Sequence, residues 1–397
     1  MKNKPISIFP LAGIDQVGAD EALQVRGKSP HNYVRDAVNV SIAPTGEASI
    51  RPGARSVTSE PYAHLWQSPL HGDTFGTLGD EWGRVSPVDW SFEPLMEVGV
   101  GAVWHALLNN EVVASTPRGL LRFDGQRARL LALPAPGAPT LSVGAGSMDA
   151  GGYGVSVSWL CDGMESPPSA ISMVTLGAGE GIEVALPWCL EPSVTHVRLY
   201  VTRAGGGVLG RGEDYPIATT LVSLPAPPAV GSPPPFQHMS PMPAGRYLAY
   251  WRGRLLVATA NVLRFSQALA YHIHDERHDF VQLPQRITFV QPVDGGIWVG
   301  QHDHVLFLRG AAPDELAVER KACEPPVPGS AMAAPADLMG ELGQGGAGGA
   351  VWLARNGYVL GGASGQLQEI HAGRIDAVHG ARGATALHGQ RLVSAVS

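Results

Sequence analysis

GRYLAYWRGRLLVATANVLRFSQALAYHIHDERHDFVQLPQRITFVQPVDGGIWVGQHDHVLFLRG, residues 245–310, decides the fold. Tyr250 to Ala258 reads as strand, tight turn at Arg252-Gly253, and return strand. Asn261 to Ser266 alternates apolar and polar residues and reads as a third strand. Gly296 to Gly300 then repeats the opening: an apolar strand with a Trp, a polar turn at residues 301–304, and a return strand, Val305 to Leu308. Period-two alternation cut by Gly and Asp turns is the pattern of short antiparallel strands. No part of this stretch holds a helical period for three turns.

The same unit recurs outward in both directions. Ala102-Val103-Trp104-His105-Ala106 leads through Asn109-Asn110 to Val112-Val113-Ala114 and on to residues 119–125. Ala350-Val351-Trp352-Leu353-Ala354 leads through Asn356-Gly357 to Tyr358-Val359-Leu360 and on to residues 366–370. Residues 384–393 repeat it near the C-terminus, and Leu65-Trp66 with residues 74–79 is a weaker copy. Spacings of roughly 35 to 55 residues match the blades of a β-propeller. A single such sheet cannot bury both faces, so several must stack. The expected fold is all-β: a propeller of about 5–7 blades, by repeat length.

Composition agrees with a turn-rich β protein. Among 397 residues there are 50 Gly and 33 Pro, with 44% hydrophobic and only 16% charged residues. The net charge is −7 without a Lys/Arg cluster, which argues against a general nucleic-acid-binding surface. Three scattered cysteines, Cys161, Cys189 and Cys323, lack metal spacing and read as plain thiols in a reducing compartment. No run approaches the ~20 apolar residues of a membrane span. The N-terminus has no apolar run of signal-peptide length, so ordinary secretion is not expected.

Residues 1–35 lack periodicity and read as an arm; Pro5 to Leu11 is extended, and Asp20 to Arg26 could form a helical turn or two. Residues 36–135 form the first part of the propeller. They open with a hairpin: Ala37 to Ile42, a turn at Pro44-Thr45-Gly46, the return Glu47 to Ile50, and a corner at Arg51-Pro52-Gly53. Residues 136–235 hold six or seven short strands, as in an immunoglobulin- or fibronectin-III-like sandwich. Proline-rich joints at residues 133–139 and 225–235 frame it as semi-rigid spacers. Residues 236–397 form the second part of the propeller, with 343–349 as a glycine loop between blades. The last strand, Arg391 to Val396, is expected to share or adjoin a blade with the 37–58 hairpin, since closure removes open edges.

Two stretches carry a family resemblance. The hairpin ending in Arg51-Pro52-Gly53 resembles the opening of tail and neck proteins of tailed bacteriophages, the nozzle or packaged-DNA-stabilising type built on a propeller. That family's line is richer in Arg; here one Arg precedes Pro-Gly. The loop Glu165-Ser166-Pro167-Pro168-Ser169 and the strand Val197 to Arg203 are similar to sandwich modules of phage tail proteins. The resemblance covers residues 36–60 and 138–265. It implies a structural virion protein of tail, neck or baseplate, made in the host cytoplasm, acting by contact with other virion proteins in a ring of copies. The alternative is a receptor- or glycan-binding propeller at the tail tip. No specific nucleic-acid binding, cofactor or catalytic residue is implied.

Candidate chemistry is sparse. His272, His274 and His278 with Asp275, Glu276 and Asp279, and then His302-Asp303-His304, are ligand types for a metal, but they also suit a polar loop at a blade edge. Glu81 and Asp89, each beside a Trp, are the local carboxylates a glycoside hydrolase would need; their Gly/Pro-rich surroundings favour loop contacts. Gly205-Gly206-Gly207 lies between strands and precedes no helix, so it is not a nucleotide loop. The expectation is no catalytic site, no cofactor and no metal.

Overall fold

The computed structural model describes residues 10–397 apart from Pro52, Ala54, His71, Val230, Gln390 and the side chain of Gln344. Strands make up 47% of the structure and helix 4%. The chain divides into two compact units: residues 61–259 with 263–282, and residues 10–60 with 260–262 and 283–397.

Five sheets are four-stranded and antiparallel, and four of them are built from successive strands. The first comprises Ala63–Gln67, Thr74–Leu78, Glu81–Val85 and Phe92–Glu97. The second comprises Trp104–Leu108, Glu111–Thr116, Gly119–Phe123 and Ala128–Leu130. The third comprises Arg246–Trp251, Arg254–Thr259, Val262–Phe265 and Phe280–Gln282. The fourth comprises Ile287–Val293, Gly296–Gln301, Val305–Arg309 and Ala317–Lys321. The fifth comprises Met332–Ala334, Gly349–Ala354, Gly357–Gly361 and Leu367–Glu369.

Most aromatics of the repeats go to the core, as the apolar pattern requires, while Trp66 and Trp104 are half-buried. Trp82, Trp298 and Trp352 are fully buried. Phe75 and Trp82 of the first sheet pack with Val112, Leu121 and Phe123 of the second. Val113 and Leu120 of the second pack with Leu255 and Val257 of the third. Trp298 of the fourth meets Trp352 of the fifth with ring centroids 5.3 Å apart. The inner strands Gly296–Gln301 and Gly349–Ala354 are buried at every residue. Burial of successive side chains, which point to opposite faces, means that both faces of these sheets are covered.

Between the second and third sheets the chain builds a sandwich. One sheet holds Thr140–Ala145, Glu180–Ala185 and Leu221–Leu224; the other holds Gly151–Cys161, Met164–Glu165, Ser172–Leu176, His196–Val201 and Gly210–Pro216. Val155, Val157 and Trp159 from one face Ile182, Val184 and Val222 from the other. The core reaches back to Leu133, before the expected boundary at 136.

Three local expectations meet more detail in the structure. Residues 10–35, read as an arm, hold a three-stranded sheet with a parallel pair, formed by Leu11–Ile14, Gln24–Val25 and His31–Val34, and Asp20–Leu23 is a 3₁₀ turn where a helical turn is expected. Strands this short carry too few residues to show a period. Residues 5–9 lie outside the described residues. The glycine stretch is not a plain loop, because Gly340–Gly346 winds into 3₁₀ turns. The terminal hairpin Gly383–His388/Arg391–Val396 and the hairpin Val40–Ile42/Ala48–Ile50 do not share a sheet; among the described residues each pairs only within itself. The terminal hairpin instead meets the fifth sheet, through Leu392 and a 2.8 Å bond between Ser394 Oγ and Tyr358 Oη.

Candidate functional site

The two motifs of the sandwich meet each other. In Glu165-Ser166-Pro167-Pro168-Ser169, two prolines remove two backbone donors. The serines compensate. Ser166 donates its N–H to Trp159 O (3.0 Å), and its hydroxyl accepts from Trp159 N–H (2.9 Å). Ser169 makes the same pair with Val157, at 2.8 and 3.1 Å. The segment therefore lies along Gly151–Cys161 like a strand, although regular pairing is impossible.

This buries Glu165 on the sheet face that points away from the sandwich core. Its carboxylate accepts from Ser158 Oγ at 2.6 Å, from the Tyr200 hydroxyl, and from Arg198 Nη1 at 2.7 Å. Arg198 also forks onto Asp214 at 2.7 and 2.8 Å. Hydrogen bonds donated to Asp214, ahead of the Glu165 charge, hold the Arg198 pKa above its ordinary value, and Arg198 in turn lowers that of Asp214. Burial, then the Glu165 carboxylate, raises the Tyr200 hydroxyl.

The other end of the same segment reaches the second sheet. Asp162-Gly163 is a two-residue turn with positive φ at both positions, 47° and 77°, as a type I′ hairpin requires. Its tip meets Arg122 and Arg129, which stand directly opposite each other on neighbouring strands. Opposed like charges destabilise a strand pair. Asp162 lies between them, 3.3 Å from Arg122 Nη2 and in contact with Arg129. Glu111 and Asp124 supply the remaining counter-charge. From the third sheet's connection, His272 Nε2 donates to Glu165 O at 3.2 Å. A cleft of about 460 Å³ runs beside this joint, lined by Glu111, Arg122, Met164, Phe236, Tyr271 and His272.

The structure disperses the residues of ligand type. Burial lowers the pKa of His272 and His274, His274 is 1% exposed, and His278 is exposed. Asp279 is engaged locally, accepting from the Gln267 amide and from Asp275 N–H. Asp303 holds His304 and accepts from Gln285 Nε2 at 2.8 Å, while His302 is exposed. Among the described residues, no group of three His, Cys, Asp or Glu is placed to hold a metal ion. Glu81 is exposed at a strand start, and Asp89 caps its own loop, held down to about 2 by hydrogen bonds from Ser86 and Ser91. The three cysteines are free thiols. Sequence reasoning missed the Asp162–Arg122–Arg129 clasp. The Asp-Gly turn was its only local signal, since Arg122 lies 40 residues upstream and Arg129 is also distant in the chain.

No family model and no curated protein matches this chain. Among solved structures, Sqt1 of Saccharomyces cerevisiae is similar at 12% identity and a TM-score of 0.31, covering 80% of this chain and 75% of that one. The extracellular domain of the one-component system BT4673 from B. thetaiotaomicron is similar at 8% identity and a TM-score of 0.24, covering 82% and 56%. The AfRom2 CNH domain is similar at 8% identity and a TM-score of 0.19, covering 75% and 92%. Likenesses this distant assign no function. No described helix is long and apolar enough to cross a membrane.

Proposed function

We propose that this chain is a structural virion protein of a tailed bacteriophage, a tail, neck or baseplate subunit acting by contact and without turnover. The observation that carries the reading is the clasp. Asp162 between Arg122 and Arg129, with His272 on the Glu165 carbonyl, fixes the sandwich against the second and third sheets. A module fixed this way presents its outer surface at a set position, as a part that docks to neighbours requires. The motifs at residues 36–58, 165–169 and 197–203 support the same family. In this reading the five serial four-stranded sheets are blades of a propeller of 5–7 blades, and the sandwich is an immunoglobulin- or fibronectin-III-like insert. Partners are other virion proteins and further copies of this chain in a ring, where many modest contacts add up.

The test is genetic. Deleting the gene from the genome that encodes this chain should give incomplete or non-infectious particles, with the defect visible by electron microscopy. Complete, infectious particles lacking the chain, or purified protein that degrades a polysaccharide, would overturn the proposal.

A second reading, a receptor- or glycan-binding module at the tail tip, is favoured by one feature. Trp188 and Leu190 stand 81% and 88% exposed on a sandwich loop. Saturable binding of purified protein to host cells, lost in Trp188→Ala, would select it.

A further inference from the structure

We propose that the cleft formed by residues 325–328, 355 and 378–381 binds a small ligand bearing a carboxylate or phosphate, of about monosaccharide size. The site lies wholly within the unit that holds the fourth and fifth sheets, and its existence does not depend on a structural role for the chain.

The cleft is built by backbone bonds. Arg355, just past the strand Gly349–Ala354, donates its N–H to Pro325 O (3.1 Å), and its carbonyl accepts from Val378 N–H (2.7 Å). Val327 donates to Leu353 O at 2.8 Å, and Gly383 donates to Pro328 O at 2.8 Å. Ser330, fully buried, ties the same segment down by bonding Val327 O (2.7 Å) and accepting from Leu353 N–H (3.1 Å). Both walls are thereby pinned to the backbone of Arg355. The enclosed volume is about 370 Å³. That lies within the range of ligand clefts, about 300–1,000 Å³.

Its chemistry is selective. Pro325, Pro326 and Pro328 give a stiff wall that offers no amide donors, only apolar surface. Arg355, His302 and His379 also line the cleft, and none of the lining residues is acidic. On a chain of net charge −7 this is a local reversal of sign. Arg84, Arg122, Arg129, Arg198, Arg254 and Arg309 each pair with a carboxylate from elsewhere on the fold. The Arg355 guanidinium has no such partner among the described residues. A planar fork of donors matches an oxyanion in bidentate fashion, and the imidazoles can add further donors. The proline wall suits the apolar face of a sugar ring or a similarly small body.

Titration calorimetry on the full chain tests this, at fixed ionic strength, with glucuronate, inorganic phosphate and neutral glucose as probes. Saturable binding of glucuronate or phosphate, with none of glucose, is expected. Arg355→Gln should weaken it roughly tenfold or more, and Arg355→Lys less, because lysine keeps the charge and loses the fork. Arg355 is exposed, so both variants should keep the wild-type melting temperature, which shows that any loss is local. Tighter binding of glucuronate than phosphate assigns the site to a sugar acid, and the reverse order assigns it to a phosphate ester. Absence of saturable binding by both anions, equal binding of glucose, or unchanged affinity in Arg355→Gln would overturn the proposal.

Discussion

Glu165 and Arg198 meet at 2.7 Å on the face of the sandwich sheet that points away from its hydrophobic core, joining a proline-rich loop to a strand that lies more than 30 residues further along the chain. Both side chains are largely shielded, at 8% and 15% exposure. A shielded carboxylate without a cation is costly, whereas the intact pair contributes little beyond neutrality. Arg198→Met should therefore destabilise the protein by about 3 kcal/mol or more. Adding Glu165→Gln to that variant should restore part of the loss, because the orphaned charge is gone. Thermal unfolding of the two single variants and the double variant reads this coupling. Strictly additive effects would show that the two residues act separately.

His105 should make the first and second sheets acid-sensitive. Trp82 Nε1–H donates to His105 Nε2 at 3.0 Å, and the ring stacks on Trp66 at 5.2 Å, so the neutral imidazole is the form that fits. Burial, and then His64, push its pKa down to about 3. The unfolded chain, with an ordinary histidine near 6.5, binds the proton more readily. Stability is then fully present above about pH 6.5 and falls as pH drops toward the folded value, by up to about 1.4 kcal/mol per pH unit. The residue keeps some solvent contact, which trims that slope. His105→Gln retains an acceptor for Trp82 and removes the titration. Urea unfolding between neutral pH and pH 4.5 should show a shallower slope in the variant; equal slopes would remove His105 as the cause.

Trp298 and Gly361 test how tightly the fourth and fifth sheets pack. Trp298 is 0% exposed and donates Nε1–H to Gly362 O at 3.0 Å. Trp298→Ala should cost about 3–5 kcal/mol. At Gly361, an added Cβ would lie 2.6 Å from the Trp298 ring and 2.8 Å from the Trp352 ring. Gly361→Ala should cost about 1–3 kcal/mol through overpacking. Differential scanning calorimetry checks both, and a wild-type transition in Gly361→Ala would mean the rings can yield.

The sandwich should fold when excised. Its two sheets share one core, and that core includes Leu133, while Ser232 O accepts from Arg211 N–H at 2.9 Å. Residues 133–232 should give a β-type circular dichroism spectrum with a cooperative melt. A fragment that begins at residue 138 should melt lower, for want of Leu133. A random-coil spectrum from the longer fragment would overturn this prediction.

The sequence by itself determined the class of structure: all-β, short antiparallel strands, a repeating unit with an inward aromatic, and a separate multi-strand module framed by proline. These are local properties. Alternation, Gly and Asp turns and missing proline donors act within a few residues, so they can be read in one dimension. Tertiary structure decided the rest. Glu165 with Arg198, Asp162 between Arg122 and Arg129, and Arg355 lining one cleft with His302 are placements of residues far apart in the chain. Charge and hydrogen bonding select such partners only after the sheets have brought them together, and a single sequence carries no mark of that proximity. The small sheet of residues 11–34 escaped for the opposite reason, because its strands are too short for any period to register. The histidines of 272–278 read as ligands in sequence because spacing alone does not reveal that His272 bonds the Glu165 carbonyl, His274 is buried and His278 is exposed.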